Sequence, residues 1–259
     1  MLRFSILGPL EVVHDDRAFT PTAPRVRAVL GLLLLRANRL VSRDAILGWL
    51  WGEAPPRSAI TTTQTYIYQL RRAFERAGIT GSDDELIETR PQGYLLHVGP
   101  DRLDATAFTQ LTERGRVLLE EGHTGAAAQL LRTAVGLWRG PVLADVPVHG
   151  PLEPDIAHLT ELRTRALELR IEADLRLGHH RELIPELRTL VATHPLNEWF
   201  HARLIDVLHR AGRRGDALAA YEHVREVLNE ELGLDPAPEL RQLHLDVLNG
   251  YVLATAAAA

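Results

Sequence analysis

A helix with no acidic residue before its last turn, framed by two shorter helices before it and an Arg-tipped hairpin after it, precedes a run of helices with a 34-residue period. These observations predict an α+β winged helix-turn-helix domain followed by an all-α tetratricopeptide-like domain. The division is expected near Val98, giving segments 1–98 and 99–259. With 259 residues, 46% of them apolar, the chain can bury a full core in one or two domains.

Leu2, Phe4 and Ile6 alternate with Arg3 and Ser5, and Gly8-Pro9 turns the chain into Leu10–His14, so an opening β-hairpin is expected. After Pro21 and Pro24, the residues Val26, Val29, Leu30, Leu33 and Leu34 follow helical spacing and predict a first helix over Arg25–Arg36. Leu40-Val41 resumes an extended path. Ser42 suits the N-cap of a second helix, Arg43–Trp51, with Asp44 in its first turn and Ile46, Leu47, Leu50 and Trp51 as its inner face. Pro55 and Pro56 break the chain before a third helix, Ser58–Ala77. Past Gly78 and the Gly81–Asp84 loop, two short β runs, Glu85–Glu88 and Tyr94–Val98, flank Thr89-Arg90-Pro91-Gln92-Gly93 as a hairpin. In such a layout the third helix reads a groove and the hairpin, or wing, touches an adjacent one.

The third helix is unusual in composition. Ala54–Phe74 holds no Asp or Glu in a chain that carries 34 of them. Ile60, Thr63, Ile67, Leu70 and Phe74 fall on one side of a helical wheel as a packing seam. Thr61, Thr62, Thr65, Tyr68, Gln69, Arg72 and Arg76 fall opposite. Solvated faces normally mix acids with bases, and threonine is a mediocre helix former, so solvation alone gives no reason to collect these residues. Hydroxyls, an amide and guanidinia on one helix face suit a DNA major groove. Thr61, Thr62, Thr65, Tyr68, Gln69 and Arg72 are therefore expected to face bases, and Arg57, Tyr66, Arg71 and Arg76 to reach phosphates. Arg90 at the hairpin tip is the candidate for a minor groove or flanking phosphate. Tyr94 either packs the wing or donates to a phosphate.

From Asp101 the pattern is almost wholly helical, with helices expected near Asp104–Glu121, Thr124–Leu137, Asp155–Leu177, Arg181–Thr193, Glu198–Arg210, Asp216–Glu231 and Pro238–Leu253. Leu177-Gly178 with Glu182, Leu187 and Leu190 returns as Ala211-Gly212 with Asp216, Tyr221 and Val224. A partial earlier copy runs from Glu121 to Ala127. The alternative is an irregular helical bundle, since the second spacing differs. Trp138, Trp199 and Tyr221 are expected in the core.

Composition narrows the function classes. The chain has no cysteine, which removes disulfides and thiolate chemistry together. Its longest strongly apolar run, Ala28–Leu35, is well short of a membrane span, and Met1-Leu2-Arg3-Phe4 lacks a signal-peptide plan, so a cytoplasmic setting is expected. No HExxH or compact His/Asp/Glu cluster points to a metal. Neither enzyme chemistry nor a cofactor is expected. Net charge is −5, yet residues 1–98 hold 12 Arg against 10 acids while residues 99–259 hold 17 against 24. The positive balance of the first segment suits it to approach DNA.

Several motifs together resemble the Streptomyces antibiotic regulatory protein family, in which an OmpR-like winged helix precedes a bacterial transcriptional activator domain. They are Phe4–Val12, Leu50-Trp51-Gly52-Glu53-Ala54-Pro55-Pro56, Thr63–Arg71, Arg90-Pro91-Gln92-Gly93-Tyr94 and Glu231-Leu232-Gly233-Leu234-Asp235-Pro236. The resemblance covers nearly the whole chain. It implies a transcriptional activator that binds direct repeats in double-stranded promoter DNA as two protomers in tandem. It further implies recruitment of RNA polymerase holoenzyme to a secondary-metabolite gene cluster, with Glu53, Ala54, Pro55 and Pro56 in a polymerase-contacting loop. Without a GxxxxGK[ST] pattern, the sequence is similar to the short members that lack an ATPase module; no aspartate phosphorylation switch is expected. The rival reading, a tetratricopeptide scaffold without sequence-specific DNA binding, leaves the acid-free helix and the wing without purpose.

Overall fold

The computed structural model describes residues 1–79, 86–147 and 152–250 of the chain. Strands β1 (Leu2–Ser5) and β2 (Glu11–His14) pair antiparallel from Leu2↔His14 to Ser5↔Glu11. A third strand, β3 (Arg17–Ala18), pairs with β2 and makes the opening hairpin a three-stranded sheet. Two exposed residues leave no alternating pattern, which is why the sequence did not announce β3.

Helix α1 (Pro24–Leu35), strand β4 (Val41–Ser42), helix α2 (Arg43–Trp51) and helix α3 (Ala59–Arg76) follow. Pro24 opens α1, where its missing N–H is not needed. The Ser42 hydroxyl caps α2 by accepting from the Ala45 N–H at 3.1 Å, as its position predicted. Strands β5 (Ile87–Arg90) and β6 (Gly93–Leu96) form the wing, and β4 joins them in a sheet of order β4-β6-β5. Gly81–Asp84, Glu85 and the chain after Gly250 lie outside the described residues.

Sequence expectations change in α2 and α3. The inner face of α2 is Ile46, Trp49 and Leu50, with Leu47 and Trp51 only half-buried. Trp49 turns inward because its indole N–H can donate to the Ala28 carbonyl, 3.2 Å away, while its ring packs in the core. The seam of α3 begins at Ala59, and Ile60 is 54% exposed.

Helices α4 (Asp104–Glu120), α5 (Thr124–Gly136), α6 (Glu153–Arg176), α7 (His180–Thr193), α8 (Glu198–Arg210), α9 (Arg214–Leu232) and α10 (Pro238–Asn249) complete the described chain. The chain forms two compact units: Met1–Arg114 with Leu130–Leu167, and Gly115–Gln129 with everything from Glu168 on.

In the first unit, the apolar faces of β1, β2, α1, α2, α3 and the wing share one core with Phe108, Ala134, Leu143 and Leu152. Two carboxylates hold the tip of the first hairpin. Asp104 accepts from the N–H groups of Ile6 (2.9 Å), Leu7 (3.0 Å) and Ala105 (2.8 Å). Asp145 accepts from the Leu10 N–H at 2.8 Å and pairs with Arg27. Backbone bonds complete the grip, from Arg139 N–H to Leu7 C=O (2.7 Å) and from Leu143 N–H to Ile6 C=O (3.0 Å). Trp138, expected in the core, is half-buried: its ring meets Phe108 edge-on at 5.4 Å and lies under the Arg163 guanidinium.

In the second unit the repeat takes physical form at three turns. Gly122, Gly178 and Gly212 all adopt left-handed φ, at 82°, 85° and 77°. The next N–H in each case bonds five residues back: His123 to Leu118 C=O, His179 to Asp174 C=O, and Arg213 to Leu208 C=O. That closure leaves little alternative to glycine at the preceding residue. The period extends to charges: Glu172–Arg176 on α6 recurs as Asp206–Arg210 on α8. Tyr221 is buried as expected, whereas Trp199 is half-buried beneath Arg203.

Burial pushes the Asp104 carboxyl above its ordinary pKa, against the opposing pull of its three N–H donors and Arg139. A raised folded-state pKa means that this group favours folding most at acidic pH, and that contribution is lost as pH rises through the folded value. The difference in unfolding free energy between wild type and Asp104→Asn, measured in urea across pH 4 to 8, should therefore fall with rising pH. Asp104→Ala strands the buried N–H groups and should cost about 2–4 kcal/mol at neutral pH. An unchanged urea midpoint would contradict the grip assigned to Asp104.

Candidate nucleic-acid interface

Ala59, Thr63, Ile67, Leu70 and Phe74 are the buried line of α3. Phe74 anchors it, meeting the rings of Phe4 at 6.2 Å and Phe19 at 6.0 Å edge-on. Fully burying a side chain of this size contributes about 1.5–3 kcal/mol, and here it also fixes the rotation of the helix. The opposite face is then determined. Thr61, Thr65, Tyr68, Gln69, Arg72 and Arg76 are all exposed. Thr62 sits half-buried on the shoulder of that face.

Ile60 and Gln64 also lie on the outward face. Sequence reasoning missed them because Ile60 looked like the head of the seam, and Gln64 was passed over. At ~100° per residue Ala59 and Ile60 lie equally far to either side of the Thr63, Ile67, Leu70 and Phe74 line, so the sequence alone does not choose between them. The Thr65 hydroxyl donates to the Thr61 carbonyl at 3.0 Å, so its proton is already used within the helix. Arg72 pairs with Glu75, the first acid after the acid-free stretch, at 2.9 Å. The helix starts without a side-chain cap or an acid in its first turn, beside exposed Arg57, and the positive end of its dipole is uncompensated there.

Tyr66 is half-buried against the core. Tyr94 is 4% exposed and belongs to the core that the wing shares with the helices. Arg71 lies against the wing: its Nη2 donates to the Ile87 carbonyl at 2.6 Å and to the Thr89 hydroxyl at 2.7 Å.

Pro91 and Gln92 turn the wing tip, and Gly93 pairs across to Ser42 of β4. A Cβ at Gly93 would fall 1.9 Å from the Val41 carbonyl oxygen, so only glycine lets β4 and β6 approach. Arg90 at the tip is exposed and grips Glu88 with two nitrogens, at 2.7 and 3.0 Å. Glu88 also meets His97 Nε2 at 3.1 Å. The His97 hydrogen bond, with Arg90 behind it, holds the Glu88 carboxyl below its ordinary range.

Glu53, Ala54, Pro55 and Pro56 form an exposed loop between α2 and α3. It borders a cleft of about 910 Å³ whose lining includes Arg25, Trp49, Trp51, Gly52 and Glu53. Among the described residues, no group of three or more His, Asp or Glu could hold a metal ion, and no helix is long and apolar enough to cross a membrane.

A winged helix with a polar, outward third helix, joined to a helical repeat, defines the class of transcriptional regulators, and comparison with known proteins gives the family. Residues 19–96 match "Transcriptional regulatory protein, C terminal", and residues 103–248 match "Bacterial transcriptional activator domain". The chain belongs to the Streptomyces antibiotic regulatory protein family. It is 40% identical to Regulatory protein DnrI of Streptomyces peucetius, over 95% of this chain and 92% of that one. It is 35% identical to Regulatory protein AfsR of Streptomyces coelicolor, again over 95% of this chain but only 24% of that much longer protein. A solved structure of Mycobacterium tuberculosis EmbR in complex with a low affinity phosphopeptide matches with a TM-score of 0.90 and 33% identity. That match covers 98% of this chain and 66% of the EmbR chain.

Gly93→Ala should break the β4–β6 pairing and cost at least ~2 kcal/mol, because the obstructing atom is backbone and cannot swing aside. Thermal unfolding followed by circular dichroism measures it. A melting temperature equal to that of wild type would show that the wing does not depend on this close approach.

Proposed function

We propose that the protein is a sequence-specific DNA-binding activator that reads promoter DNA with α3 and recruits RNA polymerase holoenzyme. The observation that carries this reading is the exposed face of α3, without an acid from Ala59 to Phe74, held beside an Arg-tipped wing in one core. Thr61, Thr62, Thr65, Tyr68, Gln69 and Arg72 face base edges in the major groove, joined by Ile60 and Gln64. The exposed Gln69 amide can bond an adenine edge bidentately, and a threonine methyl can meet a thymine methyl. Arg57 and Arg76 reach phosphates, as does the phenol of Tyr66 at the edge of the core, and these contacts set register without carrying sequence information. Arg90 exchanges its Glu88 partner for a flanking phosphate or the minor groove.

The Glu53–Pro56 loop is the polymerase contact, exposed and stiffened by two prolines. Two protomers lie in tandem on direct repeats, an arrangement that needs no dimer in solution. Segments 1–98 and 99–259 divide the work into DNA reading and activation. The family's antibiotic regulators support a role at a secondary-metabolite gene cluster, and the setting is cytoplasmic.

A gel shift on a fragment of a promoter from the protein's own gene neighbourhood separates this reading from a scaffold, which would leave the fragment unshifted. Gln69→Ala should lower affinity for the intact site by about 5- to 150-fold and lose discrimination at one base pair. Unchanged specificity would remove the role given to Gln69. Arg90→Ala should weaken all sequences alike and flatten the log–log salt slope by about 0.9. In vitro transcription tests the loop: Ala54→Arg should bind DNA as wild type does and fail to activate, whereas normal activation would count against a polymerase contact there.

A further inference from the structure

The wing has an open edge. In the sheet order β4-β6-β5, strand β5 is outermost, and its pairing with β6 uses alternate residues. The Ile87 carbonyl and the Thr89 side chain lie where the Arg71 guanidinium reaches them. Arg71 Nε and Nη2 converge on Ile87 C=O at 3.2 and 2.6 Å, and Nη2 also donates to Thr89 Oγ1 at 2.7 Å. Arg71 is half-buried and sits one turn before the core anchor Phe74. Its guanidinium is planar and delocalised, so bonding two acceptors on a strand edge fixes a direction as well as a distance. Arg90 is three residues beyond Ile87, at the end of the same strand.

We infer that Arg71 is a positioning residue that locks the wing to the recognition helix, so that Arg90 and the outward face of α3 meet DNA as one rigid surface. This rests on the DNA-binding reading above and gives Arg71 a role different from a phosphate contact. A guanidinium whose Nε and Nη2 donors are turned to the wing acts on affinity through the wing. It adds no phosphate neutralisation of its own, and the binding energy of Arg90 depends on it. Loss of Arg71 should leave α3 in place, since the Ala59–Phe74 seam holds it, and free the wing alone.

Two arms test the lock. In the free protein, amide hydrogen exchange is compared for wild type, Arg71→Ala, Arg71→Lys and Thr89→Val. Arg71→Ala should speed exchange at Ile87–Arg90 by about tenfold with α1 and α3 unchanged, and Arg71→Lys should recover part of the protection. Exchange that stays at the wild-type rate, or that rises throughout the fold, would overturn the lock. In the second arm, DNA affinity is measured against salt for Arg71→Ala, Arg90→Ala and the double variant. The lock predicts that each single change costs about tenfold with the same flattening of the salt slope, and that the double variant is no worse than either. Losses that multiply, with a slope flattened by about twice 0.9, would make Arg71 an independent phosphate contact and overturn the inference. The exchange arm needs no DNA, so failure of wild type to bind any duplex counts against the DNA reading, while failure of the exchange arm counts against the lock.

Discussion

The rotation of α3 about its own axis is set by one line of contacts, from Ala59 through Thr63, Ile67 and Leu70 to Phe74, and everything at the interface follows from it. Successive residues of a helix differ by ~100°, so a slip of one position would carry Tyr68 or Gln69 into the core and lift Ile67 into water. Phe74 makes that slip costly through its edge-on contacts with Phe4 of β1 and with Phe19, the residue that follows β3. The choice of threonine on both faces is then intelligible. Thr63 is buried with its hydroxyl donated to the Ala59 carbonyl, and Thr65 on the outside does the same toward Thr61, so neither leaves an unmet donor.

The N-terminal sheet that supports Phe74 is itself held by residues far along the chain. Asp104 and Asp145 occupy the N–H groups at the hairpin tip, and segment 139–146 supplies further backbone bonds to the same residues. Positive charge is distributed by use. Arg27 and Arg36 pair with Asp145 and Asp155 within the first unit, and Arg71 serves the wing edge. Arg57 and Arg76 project from the two ends of α3. In the second unit, Arg170 is buried between Asp174 and Glu186, the kind of pairing that a buried guanidinium requires.

Much of this was legible in the sequence because it rests on local rules. Ser42 was readable as a cap, Pro24 as a helix start, and Gly178 and Gly212 as equivalent turns, since each depends on a few neighbouring residues. The acid-free run of α3 pointed to its exposed face by composition alone. What escaped depends on contacts distant in sequence. Trp49 displaced Leu47 and Trp51 because a carbonyl of α1 could accept its indole proton, a partner that no helical wheel contains. Arg71 looked like the other arginines of α3 until the edge of β5 was placed beside it. Ala59 and Ile60 flank the seam symmetrically on a helical wheel, and only the tertiary packing buries Ala59 and leaves Ile60 outside.

Selection from a library of random DNA duplexes tests the central claim most directly, since it asks whether the α3 face reads base sequence at all. Sequencing of the duplexes retained by the wild-type chain should recover one short motif repeated in the same orientation, with the copies spaced by a near-integral number of helical turns of ~10.5 base pairs. Retention of duplexes without enrichment of any motif would contradict the account, because it would reduce the face from Ile60 to Arg72 to a general polyanion contact.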